Sequence, residues 1–221
     1  MQHLLRSARW DADSVRDEVR AHAVDHLGGD GGALIVDETG FMKKGRSSAG
    51  VQRQYTGTAG RRENSQVGVF RAYATGRGRA LIDRRLYLLE HFWCTDPERR
   101  QATGMPDEVQ FATHPPLAWE MITATLDAGV EAPWVTGDEA YGQDPQFRAA
   151  LEARGTGCVL AVASSIRVRI NSGRTPIGAD TVVDRLPEAA CTGKALATVQ
   201  RACAIATGPG SISAPANTVI C

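Results

Sequence analysis

Apolar residues recur at every fourth position in DSVRDEVRAHAVDHL (residues 13–27), where Val15, Val19, Ala23 and Leu27 line one side. That spacing predicts an amphipathic helix with Asp13 or Ser14 as its N-cap, and GGDGG stops it. The pattern then changes. Ala33 to Val36 is a short uninterrupted apolar run, read as a buried strand that leaves the core at Asp37. Residues 43–66 are polar, basic and Gly-rich, a long excursion holding at most a short strand at 51–55. VGVFRAYAT (67–75) and ALIDRRLYL (80–88) flank GRGR and predict a hairpin of two long strands.

Helical periodicity returns in PLAWEMITATLDAG (116–129), through Leu117, Met121, Ala124 and Ala128, and Gly129 closes it. APWVTGDEAYG (132–142) is a second short strand ending in an acid. DPQFRAALEARG (144–155) is a helix with Asp144 as N-cap and Pro145 in its first turn, and CVLAVA (158–163) is a third buried strand. The order of strand, hairpin, helix, strand, helix, strand defines an α/β protein, a mixed sheet with flanking helices and no internal repeat. From Ala189 to Cys221 there is no acid, no Phe, Trp or Tyr, and neither helical nor strand period. Such a segment has little apolar area to set against ordering entropy and is expected to be disordered.

Composition changes this picture in two places. An apolar content of 43% and a charged content of 23% are ordinary for a soluble globular chain. No apolar run is long enough to span a membrane and the N-terminus lacks a signal-peptide core, so a cytoplasmic protein is expected. The five cysteines are scattered and never form CxxC, which argues against a disulfide framework or a zinc site. The zero net charge conceals an asymmetry: residues 43–85 hold eleven Lys or Arg against only Glu63 and Asp83. A block this basic inside a neutral chain predicts a polyanion-facing surface.

The candidate chemistry lies at two strand ends. Asp37 follows ALIV and Asp138 follows WVTG, where α/β sheets present ligand-binding groups. Carboxylates are hard oxygen ligands for Mg²⁺, and two on neighbouring strands can hold a metal pair that activates a nucleophile and stabilises a leaving oxygen. The competing expectation is that each acid caps a turn or the following helix. Glu38 and Glu139 adjoin these acids; adjacent strand residues point oppositely, so both are expected to support the ligands from behind or to lie on the surface. DETG and TGDE also echo phosphoaspartyl phosphohydrolases, but that chemistry wants an Asp two residues after the nucleophile, where Thr39 stands.

The stretch VDETGFMKKGRSSAGVQRQYTGTAGRRENSQVGVF, together with ALIDRRLYL, DEVQFATHPPLAWEMI and WVTGDEAYGQDPQFRAALEARG, resembles the catalytic domain of bacterial insertion-sequence transposases of the DDE superfamily. The likeness runs in order through residues 3–188. It implies an RNase H-like sheet with the first Asp on the first strand and the second just after the fourth, the positions of Asp37 and Asp138. It implies cleavage at transposon ends and joining of the freed 3′-hydroxyl to target DNA, with two Mg²⁺ or Mn²⁺ ions. Lys43, Lys44, Arg46, Arg53, Arg61 and Arg62 would then hold phosphates, giving salt-dependent affinity without base readout. DNA is the implied partner, at transposon ends and at the target. Self-association is left open, no membrane is involved, and DNA-bound molecules would sit at the nucleoid.

Against this family the chain divides into a helical lead-in (residues 1–29, a remnant of a longer helical region), a partial catalytic core (30–188) and a tail (189–221). The family's third acid is a Glu on a later helix, and after residue 188 this chain has neither Asp nor Glu, so the fold is expected to be incomplete at its C-terminal end. Reading CTGKALATVQRA one base earlier permits the continuation that family members carry, so the tail is expected to be out of frame from about Ala190 or Cys191. The expectation is therefore a transposase fragment that is inactive as it stands, with a non-catalytic DNA-binding remnant as the alternative.

Overall fold

A computed structural model describes residues 10–28, 31–168 and 175–185. The first helix, α1 (Ala12–Leu27), is capped two residues before Asp13, the earlier of the two predicted caps: the Asp11 carboxylate accepts from the N–H groups of Asp13 (2.9 Å) and Ser14 (3.2 Å). Its docking face also differs. Ala23 is buried and Val24 and Leu27 pack against the core, but Val15 and Val19 are exposed. Arg16 and Arg20 are the largely covered side chains of the first two turns.

The strands are β1 (Ala33–Met42), β2 (Gln52–Thr56), β3 (Arg61–Thr75), β4 (Gly78–Leu86), β5 (Trp134–Gly137) and β6 (Gly157–Leu160). They form one mixed sheet in the order β2-β3-β1-β5-β6, with β4 also pairing β3. Strands β1 and β3 are antiparallel from Ala33↔Ala74 to Met42↔Ser65, whereas β1 and β5 are parallel only from Ala33↔Trp134 to Val36↔Gly137. Strand β6 adds in parallel to β5. The apolar run of β1 stops at Val36, yet the strand continues through six further residues because β3 pairs with every one of them. Gly40 lies in this continuation; a Cβ there would fall 1.8 Å from Thr56 Oγ1, so glycine lets β2 and β1 approach. Strand β5 is the fifth in chain order, and Asp138 directly follows it.

Helices α3 (His114–Asp127) and α5 (Pro145–Ala153) cover the sheet, after a π-helical turn at Glu90–Cys94 and a short α2 (Pro97–Thr103). Strand alternation puts Leu34, Val36 and Glu38 on one face with Val69, Arg71 and Tyr73. On that face Leu34, Val36, Val69 and Tyr73 join Met121, Ile122, Val135, Leu151 and Leu160 in a single core. Asp144 caps α5 as expected, accepting from Phe147 N–H at 2.8 Å. A hairpin of β7 (Arg167–Val168) and β8 (Ile177–Gly178) and helix α6 (Ala179–Arg185) follow. The expected tail, residues 189–221, and residues 1–9 and 29 of the expected lead-in lie outside the described residues.

The basic block does not all face outward. Arg71 and Asp83 are direct cross-strand partners, both side chains fully buried, with Nη2 and Oδ2 3.5 Å apart. Arg85 (3.3 Å) and Arg16 (3.9 Å) also approach Asp83. Burial lowers the Arg71 pKa to about 10, against the opposing pull of Asp83.

Candidate metal centre

Strand β5 ends at Gly137, so among the described residues no strand pairs with β1 from Asp37 onward on that edge. Asp138 fills the gap as the N-cap of α4 (Glu139–Gly142), where its Oδ1 accepts from Ala140 N–H at 2.9 Å. Capping and ligation are thus not exclusive here, because a carboxylate has two oxygens. The Asp37 Oδ1 accepts from the N–H of Glu38 at 2.8 Å.

Asp37, Glu38 and Asp138 each present a carboxylate oxygen within 4.8 Å of the other two. Asp37 and Asp138 meet as expected. Glu38 does not turn away: it leaves β1 on the core-side face, but the edge vacated by β5 lets carboxylates from both faces reach the same point. Glu139 is exposed, and its side chain accepts from Gln143 instead.

Glu38 is held from behind. The hydroxyl of Tyr141, a fully buried residue of α4, donates to Glu38 Oε2 at 3.2 Å. His114 Nδ1, on the first turn of α3, lies 3.7 Å from the same oxygen. The His114 ring meets Tyr87 edge-on at 4.4 Å, and its buried Nε2 has no hydrogen-bond partner among the described residues. Sequence reasoning missed Tyr141 and His114 as site residues, since neither stands next to a candidate acid; helical spacing from Asp138 to Tyr141 was the one usable signal.

The electrostatics follow from this crowding. Burial raises the pKa of Asp37, and the Asp138 charge adds to that, while the Glu38 N–H works against both. Burial likewise raises Glu38, with the Asp138 charge adding and the Tyr141 hydrogen bond opposing. Burial and the neighbouring Glu38 push the Tyr141 phenol far above its ordinary value, so it is a fixed donor. Burial lowers His114, opposed by Asp138, which favours the neutral ring.

The donor set fits a hard divalent cation. Mg²⁺ takes oxygens at about 2.1 Å in octahedral geometry, so its ligands lie about 3–4 Å from one another, and side-chain rotation closes the remaining gap. Among the described residues no Lys or Arg nitrogen pairs with any of the three acids.

The six basic residues are all exposed and gather at the β2 end of the sheet. Arg53 lies on β2, Arg61 and Arg62 open β3, and Lys43, Lys44 and Arg46 follow β1 in a loop that Asn64 fastens through the carbonyls of Lys43 (2.6 Å) and Gly45 (2.9 Å). Arg62 shares a cavity of about 430 Å³ with Glu38, Tyr55, Tyr87 and His114, which links the basic surface to Glu38. Arg61 is instead paired with Glu63 at 2.8 Å.

The sheet thus brings three acids together where β5 ends and carries a basic surface at its β2 end. Comparison with known proteins identifies the family: the family model described as DDE superfamily endonuclease matches residues 1–189, and the chain belongs to that family. Divalent-metal use and action on DNA are properties of the family. The chain is also 28% identical over 171 residues to a probable transposase for insertion sequence element IS701 from Microchaete diplosiphon, a match covering 77% of this chain. It spans 42% of that relative's length. No solved structure matches the chain. Among the described residues no helix is long and apolar enough to cross a membrane.

Proposed function

We propose that this domain is the catalytic core of an insertion-sequence transposase, which cleaves DNA at transposon ends and joins the 3′-hydroxyl to a target. The observation that carries the reading is the convergence of Asp37 and Asp138 at the vacated edge of β1. Asp37 and Asp138 would hold Mg²⁺ or Mn²⁺, which supplies Lewis-acid stabilisation of the phosphoryl and leaving oxygens and lowers the pKa of a nucleophilic water. The protein's own part is to fix the ligands and deliver the phosphate. Pairing with β3 holds Asp37 on a rigid strand, and the cap to α4 holds Asp138. Lys43, Lys44, Arg46, Arg53 and Arg62 neutralise the DNA backbone as it passes, with Arg61 shared between DNA and Glu63.

Two ions are needed for both steps of transposition, and two carboxylates plus one neighbour are a sparse set for a pair. Residues 189–221 contain neither Asp nor Glu. Residues 1–221 by themselves should therefore bind DNA without joining strands, and on this reading the tail is translated out of frame. The test joins a precut transposon end to plasmid DNA in Mn²⁺, using this chain beside one whose reading frame is restored at residue 191. Joining by the restored chain alone, and its loss in Asp37→Asn or Asp138→Asn, is the expected result. Equal joining by both chains would place every required acid within residues 1–188.

A further inference from the structure

We propose that Glu38 is a third carboxylate ligand of the divalent cation, and that Tyr141 is the positioning residue that aims it; this rests on the metal-site reading above. The first argument is charge balance. Asp37, Glu38 and Asp138 stand within 4.8 Å of one another, and among the described residues no Lys or Arg pairs with any of them. Asp83, by contrast, a buried acid on β4, has Arg16, Arg71, Arg84 and Arg85 within 4.0 Å. Clustered carboxylates repel one another, and burial raises the cost. The described residues that compensate one buried acid with four guanidinium groups leave this trio with none. With no guanidinium or ammonium partner among the described residues, the hard oxygen donors suit a divalent metal ion as the counter-charge.

The second argument is orientation. Tyr141 is fully buried and spends its hydroxyl on Glu38 Oε2, a partner 103 residues away in sequence. His114 Nδ1 flanks the same oxygen. With Oε2 occupied from behind, Oε1 remains for a ligand. The ring is set by a missing side chain: a Cβ at Gly137 would lie 2.9 Å from Val36 Cγ2 and 3.1 Å from Tyr141 Cδ2. One short segment, Gly137–Tyr141, therefore supplies the ligand Asp138, the space for the ring and the hydroxyl that orients Glu38. Metal-ligating carboxylates are commonly fixed by such an outer hydrogen bond, whose loss costs about 10–100-fold in metal affinity.

The experiment titrates Mn²⁺ into the full chain by electron paramagnetic resonance and counts bound waters from Tb³⁺ luminescence decay in H₂O and D₂O. Thermal melts in chelator check folding of each variant. Glu38→Gln should weaken Mn²⁺ at least about tenfold and add about one metal-bound water, because a lost carboxylate is replaced by solvent. Tyr141→Phe, which removes only the hydroxyl, should weaken Mn²⁺ by about tenfold with the melt preserved. Wild-type binding that Asp138→Asn weakens but Glu38→Gln leaves unchanged, in affinity and in water count, overturns this inference and spares the metal site itself. No Mn²⁺ binding by the wild-type chain overturns both.

Discussion

Replacing Asp83 by Asn should cost this domain a large part of its stability. The substitution keeps the shape and the oxygen that accepts from the Arg84 N–H at 2.7 Å, but removes the charge opposite Arg71. Both side chains are fully buried, so water does not substitute for the lost partner. The Arg71 nitrogens have no hydrogen-bond partner among the described residues, which leaves Asp83 as the main compensation for the buried cation. Breaking a buried pair by removing one partner costs roughly 3–5 kcal/mol, against a total on the order of 5–15 kcal/mol for a whole domain. With a urea slope of about 2 kcal/mol per molar, the unfolding midpoint should fall by about 1.5–2.5 M. Arg71→Met combined with Asp83→Leu removes both charges and should recover to within about 1 kcal/mol of wild type, since a buried pair is often no better than an apolar isostere. Urea unfolding followed by circular dichroism reads all three proteins. A midpoint for Asp83→Asn within error of wild type would refute the assignment of Arg71 to the core and return it to the DNA-facing surface.

Three further outcomes follow from the same geometry. Without metal, Asp37 and Glu38 have raised pKa values, so the folded chain holds protons that the unfolded chain has released. Their contribution to stability is complete below the unfolded value of about 4 and is lost as pH rises through the raised folded values. In chelator, Asp37→Asn should therefore gain stability over wild type as pH increases from about 4 to neutral, and a constant difference across that range would locate the titration elsewhere. A Cβ on Gly142 would stand 1.8 Å from the Ala161 carbonyl oxygen, so Gly142→Ala should destabilise by roughly 1–3 kcal/mol or more; a neutral melt would show that α4 has room to move. Arg62→Ala should reduce the slope of log affinity for duplex DNA against log salt by about 0.9, whereas Arg61→Ala, already paired with Glu63, should change it less; equal slopes for wild type and both variants would move the DNA surface away from β3.

The mixed sheet was legible because its signals are local: the apolar run at Ala33–Val36, the hairpin around GRGR, and the helix periods at 116–129 and 144–155. The length of β1 was not. Asp37 through Met42 carry no strand pattern, and only long-range pairing with β3 extends the strand. The stripe of α1 misled because Arg16 finds its counter-ion on β4, which sequence spacing cannot show. At the site, Asp37 and Asp138 were legible from their strand-end positions. Glu38 was not, since alternation along a strand sends it to the face opposite Asp37 and says nothing about where the neighbouring strand stops. The basic block read as a surface, but its total charge hid Arg71 in the core.

The central claim, that a divalent metal sits between Asp37 and Asp138, is tested most directly by replacing Mg²⁺ with Fe²⁺ and adding ascorbate and peroxide. Hydroxyl radicals formed at the bound iron cut the nearby backbone, and mass spectrometry locates the cuts. The account predicts cleavage beside residues 37–38 and beside residue 138, competed away by Mg²⁺ and lost in the Asp37→Asn, Asp138→Asn double variant. Cuts clustered elsewhere, or an unchanged pattern in that variant, would contradict it.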